Sequence, residues 1–246
     1  MCINSLSLNM FLLVLIFLFT PGMLLQQAEC AIDTQGKIRS LSESPLAFTE
    51  NNGQWGKDIL FKTRSENNDL WLTNHSICIK NHRSNSAIKA VFLNSNRSIS
   101  VKGENKLNHK NYYFIGNMKD RWHTNVQNYA GVTYFNIYDG INLNLHGANG
   151  SLEYDFIVSP KADPSQIELQ IDGADSIYLD SNGNLIISSA SGELIHKRPI
   201  IYQRAGESGA RSYIDGSFNI KSDTTFGFII SSSYNPKKEL IIDPIL

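Results

Sequence analysis

From residue 45 onward the chain is written in short runs that alternate apolar and polar side chains, separated by Gly, Asn, Asp and Pro. Alternation with period 2 is the pattern of strands that bury one face. No window after residue 40 sustains apolar residues at i, i+3, i+4 and i+7, so no amphipathic helix of three turns is expected. The clearest hairpin is Asp69–Thr73 with Ser76–Lys80, turning at Asn74-His75. It places Leu72 opposite Ile77 and Leu70 opposite Ile79 on one face, with Trp71 and Cys78 on the other. A second hairpin joins Ile141–His146 to Ser151–Val158 through Gly147–Gly150. It puts Leu152, Tyr154, Phe156 and Val158 on one side and Glu153 and Asp155 on the other. A third joins Ser176–Leu179 to Asn184–Ile187 through a loop holding the turn dipeptide Asn182-Gly183.

Further strands are predicted at 59–62, 87–93, 99–102, 112–115, 132–137, 167–171, 193–196, 212–214, 217–220, 226–230 and 240–242. Pro160, Pro164, Pro199, Pro236 and Pro244 fall between these runs, where they cost no ladder hydrogen bond. The spacing predicts an all-β fold: a multi-stranded antiparallel β-sandwich, with two packed β lobes as the open alternative. Residues 45–246 read as a single domain.

The first 30 residues follow a different pattern. Met10–Phe19 is apolar and is broken by Thr20, Pro21 and Gly22; Ala28 and Cys30 sit at −3 and −1 of a cut after Cys30. This is the anatomy of a signal peptide, and the apolar run falls short of the roughly 20 residues that span a bilayer. The n-region Met1–Asn9 has no Lys or Arg. An uncleaved anchor and a lipoprotein cut at Cys30 are the alternatives. Residues 31–44 read as an extended leader. The expected location is secreted, extracellular or at the cell surface, with membrane contact only through the signal segment if it is uncleaved.

Composition narrows the function classes. Lys+Arg number 22 and Asp+Glu 23, with no block of like charge, so no nucleic-acid footprint is expected. Of three cysteines, Cys2 and Cys30 lie in the expected signal peptide, which leaves Cys78 alone in the mature chain and no internal disulfide. Stability outside the cell must then come from the apolar core.

Ordered motifs resemble a known family. They are Phe48-Thr-Glu-Asn-Asn-Gly-Gln-Trp55, Tyr113-Phe-Ile-Gly116, Trp122-His-Thr-Asn125, Val132-Thr-Tyr134, Tyr138-Asp-Gly-Ile-Asn142, Leu152-Glu-Tyr-Asp-Phe156, Ala162-Asp-Pro164, Arg198-Pro-Ile-Ile-Tyr-Gln203 and Ile241-Ile-Asp-Pro244. Together they resemble an uncharacterised bacterial extracellular domain of unknown function that precedes SBBP (β-propeller-like) repeats in large secreted proteins. The resemblance covers about residues 45 to 246. It implies a β-rich module at the front of a surface protein, and it implies no reaction, cofactor or catalytic residue. Because the sequence stops at Leu246, a stand-alone module and a truncated one are both expected readings.

No catalytic set is expected. Glu153 and Asp155 share a strand face, and paired carboxylates serve as acid and nucleophile in glycosidases. However, a third carboxylate is missing where Val158 stands. Asp180-Ser-Asn-Gly-Asn184 resembles the start of a calcium loop, yet its twelfth position is Ser191 rather than Glu. The six His residues form no metal-ligand spacing, so no metal and no cofactor are expected. Aromatic side chains are the stronger lead, because exposed Trp and Tyr stack on sugars or anchor partners. Trp55 and Trp122 stand in loop-like contexts. With Glu153 and Asp155 they are the candidate ligand-binding residues, and an envelope protein or a glycan is the expected partner.

Overall fold

The computed structural model describes residues 46–65, 68–82, 87–148, 151–190, 192–205, 209–231 and 234–244. The expected signal peptide (1–30) and leader (31–44) lie outside the described residues, as does the 149–150 turn of the second hairpin. The fold is all-β. Strands are β1 (Phe48–Glu50), β2 (Phe61–Arg64), β3 (Asn68–Leu72), β4 (Ser76–Asn81), β5 (Ala87–Phe92), β6 (Ser100–Tyr113), β7 (His123–Tyr138), β8 (Ile141–Ala148), β9 (Ser151–Val158) and β10 (Glu168–Asp172). They continue as β11 (Ser176–Leu179), β12 (Leu185–Ser189), β13 (Gly192–His196), β14 (Ile200–Ala205), β15 (Ala210–Ile214), β16 (Gly216–Ile220), β17 (Thr225–Ile230) and β18 (Leu240–Asp243). The helical elements among the described residues are two 3-10 turns, Lys119–Arg121 and Pro164–Gln166.

Fifteen strands make one antiparallel sheet in the order β15-β14-β18-β9-β8-β7-β1-β2-β3-β4-β5-β10-β17-β16, with β6 also paired to β7. The remaining β11, β12 and β13 form a small second sheet. The large sheet folds over so that β8 and β9 face β4, β5 and β10. The facing side chains leave an apolar interior cavity of about 40 Å³, lined by Ile77, Phe92, Leu143, Tyr154, Leu169 and Phe226 among others. Ile187, Leu194 and His196 of the small sheet close the same interior.

The alternation fixes which side goes in. Leu152, Tyr154, Phe156 and Val158 are buried, as are Ile141, Leu143 and Leu145 across from them. The β3–β4 register pairs Leu72 with Ile77, Trp71 with Cys78 and Leu70 with Ile79, as the sequence predicts. Buried tyrosines tie the two layers by their hydroxyls. Tyr134 donates to the Thr73 carbonyl (2.8 Å) and Tyr138 to that of Glu168 (2.9 Å). Burial raises both phenol pKa values, so they stay neutral donors.

The predicted strands at 99–102 and 112–115 are one 14-residue strand, β6, which ends at Tyr113. The predicted 132–137 strand is the second half of a 16-residue strand, β7. The middle of β6 reads as loop because none of its residues is buried, so it carries no alternation. The β7 register slips where asparagines take the left-handed region, at Asn125 (φ 59°) and Asn136 (φ 55°). Asn tolerates that region better than other residues with a Cβ. Such bulges bend a strand and sharpen its twist. Strands β1 and β14 have no counterpart among the predicted runs.

Candidate functional site

One end of the molecule is an arm made by the far halves of β6 and β7. Beyond the β1 pairing at Asn128 and Tyr129, β7 continues to His123 with β6 beside it. The arm closes through residues 114–122, which include Gly116 at φ 69° and the 3-10 turn Lys119–Arg121. Apolar side chains crowd this tip and stay in water: Tyr112 is 55 % exposed, Phe114 60 %, Ile115 54 % and Met118 50 %. Trp122 is half-buried among them. Its indole N–H donates to the Gly116 carbonyl (3.1 Å), and its ring meets Phe114 edge-on at 5.1 Å. Tyr112 stacks on Phe114 at 6.4 Å and donates its hydroxyl to Asn125 Oδ1 at 3.1 Å.

Trp55 reaches the same arm from a different part of the chain. It lies in the loop after β1, folded on Asn51, whose Oδ1 accepts from the backbone N–H of Gly53 and Trp55. The Asn51 amide donates back to the carbonyls of Gly56 and Ile59. This network gives the Asn/Gly-rich loop a fixed shape. The indole packs edge-on against Tyr113 at 5.6 Å, so Trp55 buttresses the arm. Trp55 also borders two open depressions of about 520 and 550 Å³. The second is floored by a polar chain in which Thr49 donates to Asn128 Oδ1 (2.6 Å) and Asn111 donates to Thr49 Oγ1 (3.0 Å).

Glu153 and Asp155 lie elsewhere, on the outer face of β9. Eight residues of β7 separate His123 at the arm from Gly131 beside His146, roughly 26 Å at ~3.3 Å per residue. Register sets Glu153 opposite His146 and Asp155 opposite Asn144. Asp155 Oδ2 lies 3.2 Å from His146 Nε2, and that hydrogen bond raises the imidazole pKa against the opposing effect of burial. The third carboxylate of this face is Asp243 of β18, next to β9 in the sheet. Burial, then the charges of Asp155 and Glu153, push its carboxyl up to about 6. Its Oδ1 is buried without a hydrogen-bond partner. Beside it, the Arg211 guanidinium stacks on Tyr202 at 4.3 Å. The sequence reading named Glu153 and Asp155 but missed His146, Tyr202, Arg211 and Asp243. His146 faces Glu153 across the predicted β8–β9 hairpin, whereas Asp243, Tyr202 and Arg211 arrive through the β18–β9, β14–β18 and β14–β15 pairings.

Among the described residues, no group of three or more His, Cys, Asp and Glu side chains has the placement to hold a metal ion. The Asp180 loop is a closed turn. Asp180 Oδ1 accepts from the backbone N–H of Asn182 and Asn184, and these bonds hold its carboxyl below the ordinary range. Cys78 is a free thiol, half-buried.

No curated protein and no solved structure matches the chain. One family pattern does, over residues 48–245, which is most of the chain and all but the ends of the described fold. The chain belongs to that family, DUF7948, a domain of unknown function.

Proposed function

We propose that this protein is an exported, non-catalytic binding module that works at the cell surface, with the β6–β7 arm as its contact region. It serves adhesion or the assembly of a larger surface protein of the SBBP-repeat type. The observation that supports this most is the cluster of exposed apolar side chains at the arm tip, held in place by Trp122 and buttressed by Trp55. Half-exposed aromatic and aliphatic side chains gathered at one projecting end are costly in water and mark an interaction site. The signal-like leader supports export. The full chain, immobilised and washed with envelope fractions, is expected to retain a defined component. A chain that retains nothing counts against the reading.

A second reading is favoured by a different observation. Asp243, with its pKa raised to about 6, stands near Asp155 and Glu153, as the acid of a glycosidase pair would. On this reading the protein is a carbohydrate-binding or carbohydrate-active sandwich. Against it, Asp155 is engaged by His146, and the tryptophans named for sugar stacking lie on the arm rather than beside these acids. A glycan array and a polysaccharide-release assay separate the two readings. Released sugar, lost in Asp155→Asn and Asp243→Asn, establishes the second.

A further inference from the structure

We propose that the arm tip docks on an anionic lipid bilayer, with Phe114, Ile115 and Met118 entering the interface and Lys119 and Arg121 pairing with headgroups. The inference rests on the reading of the arm as the contact region and names its partner. It goes beyond the membrane contact through an uncleaved signal segment that the sequence suggests.

Three observations select a bilayer over other occupants. The first is shape. The tip is a projecting turn, whereas small ligands and glycans need concave sites that surround them. The second is size. Nine residues, 114–122, form the tip, while a stable protein interface takes about 800 Å² and roughly 20–30 residues from each partner. A bilayer needs only a few side chains that leave water together. The third is charge. The chain has a formal net charge of −1, yet between residues 106 and 125 Lys106, Lys110, Lys119 and Arg121 face a single acid, Asp120. Lys119 and Arg121 sit within the apolar tip, where anionic headgroups would meet them, while Lys110, opposite Gln127, and Lys106, opposite Tyr129, lie farther down the arm. Lys119 Nζ lies 6.0 Å from the Trp122 ring centre, and Trp and Tyr are the residues that suit the headgroup level.

The tip is also preformed. The Trp122–Gly116 hydrogen bond and the 3-10 turn hold its shape, and the Trp55–Tyr113 contact holds the arm. Little ordering cost therefore remains on docking.

The test uses the full chain and phosphatidylcholine vesicles with or without phosphatidylglycerol, carrying spin-labelled lipid that quenches tryptophan near the acyl boundary. The Trp122 emission is the difference between the parent and Trp122→Phe. It is expected to shift to the blue and to be quenched by the anionic vesicles only. The double variant K119E/R121E, with an unchanged far-ultraviolet spectrum, is expected to partition about thirtyfold less, from ~1 kcal/mol per basic residue. Association that leaves Trp122 unquenched overturns the proposal, because the leader or another face is then the anchor. Equal quenching by neutral vesicles, or by the K119E/R121E chain, overturns the headgroup pairing. A chain that captures an envelope protein or glycan but ignores both vesicle types sinks the lipid proposal and leaves the binding-module reading standing. A chain that binds nothing in either assay removes both.

Discussion

Trp55 and Tyr113, 58 positions apart in sequence, meet edge-on at 5.6 Å and join the loop after β1 to the base of the arm tip. The contact lies on two elements that share no strand pairing along that stretch, so the arm depends on it for stiffness. Trp55→Ala removes an aromatic pair worth ~0.5–1.5 kcal/mol together with the area it covers. We expect a loss of about 2 kcal/mol, with faster amide exchange in residues 109–125 and unchanged exchange in β8 and β9. Equal acceleration in both regions would show that the indole supports the whole sandwich rather than the arm.

Gly103 in β6 lies against the ring of Tyr129. A Cβ at Gly103 would come within 2.3 Å of Tyr129 Cγ, closer than any real contact. The ring is fixed by Phe61, edge-on at 5.9 Å, and by its hydroxyl on Glu50 Oε2 at 3.1 Å. Gly103→Ala must therefore displace β6 or the ring. Overpacking of this kind costs about 1–3 kcal/mol, and at ~2–4 °C per kcal/mol the melting midpoint should fall by several degrees. An unchanged midpoint would mean that β6 shifts freely over β7.

His196 is buried among Phe218, Phe226 and Tyr154, with its Nε2 3.0 Å from the Tyr154 hydroxyl. Burial lowers its pKa to about 3, so the folded state holds it neutral at any ordinary pH. The unfolded chain binds the proton below about 6.5, so stability falls as the pH drops from there toward 3. The slope from this one group is about 1.4 kcal/mol per pH unit. Denaturant titrations at several pH values should show this slope in the parent and a shallower one in His196→Gln. Parallel slopes would place the proton uptake elsewhere.

Asp243 carries the opposite sign. Its folded pKa, about 6, lies above the ordinary carboxyl value of 3.8. Ionising it costs the folded state, and the cost develops as pH rises from about 4 to 6 and persists above. Asp243→Asn should stabilise the protein by about 1–2 kcal/mol at pH 7, after discounting for partial exposure, and the gain should vanish near pH 4. A gain of the same size at pH 4 would mean that burial of the side chain, not its charge, sets the effect.

The strands that bury one face were legible in the sequence, down to the pairing of Leu70 with Ile79. Their alternation is the direct imprint of an inside and an outside. The arm was not legible, because Glu104–Lys110 is largely solvated and gives no period to read. Trp55 and Trp122 were singled out separately, by their loop contexts. That they serve the same arm follows from Tyr113 and Phe114, which stand next to each other in β6 and the tip and touch one tryptophan each. Glu153 and Asp155 were correctly set on one face, since period 2 demands it. Their neighbour Asp243 arrives through a pairing of residues 82 to 86 positions apart, and only the assembled sheet reveals it.

The most direct measurement compares two double variants of the full chain for retention of envelope components. If the arm is the contact region, F114S/I115S abolishes retention while E153Q/D155N keeps it at the parental level. Retention that survives in F114S/I115S and disappears in E153Q/D155N would move the binding surface to the acidic face and contradict the assignment.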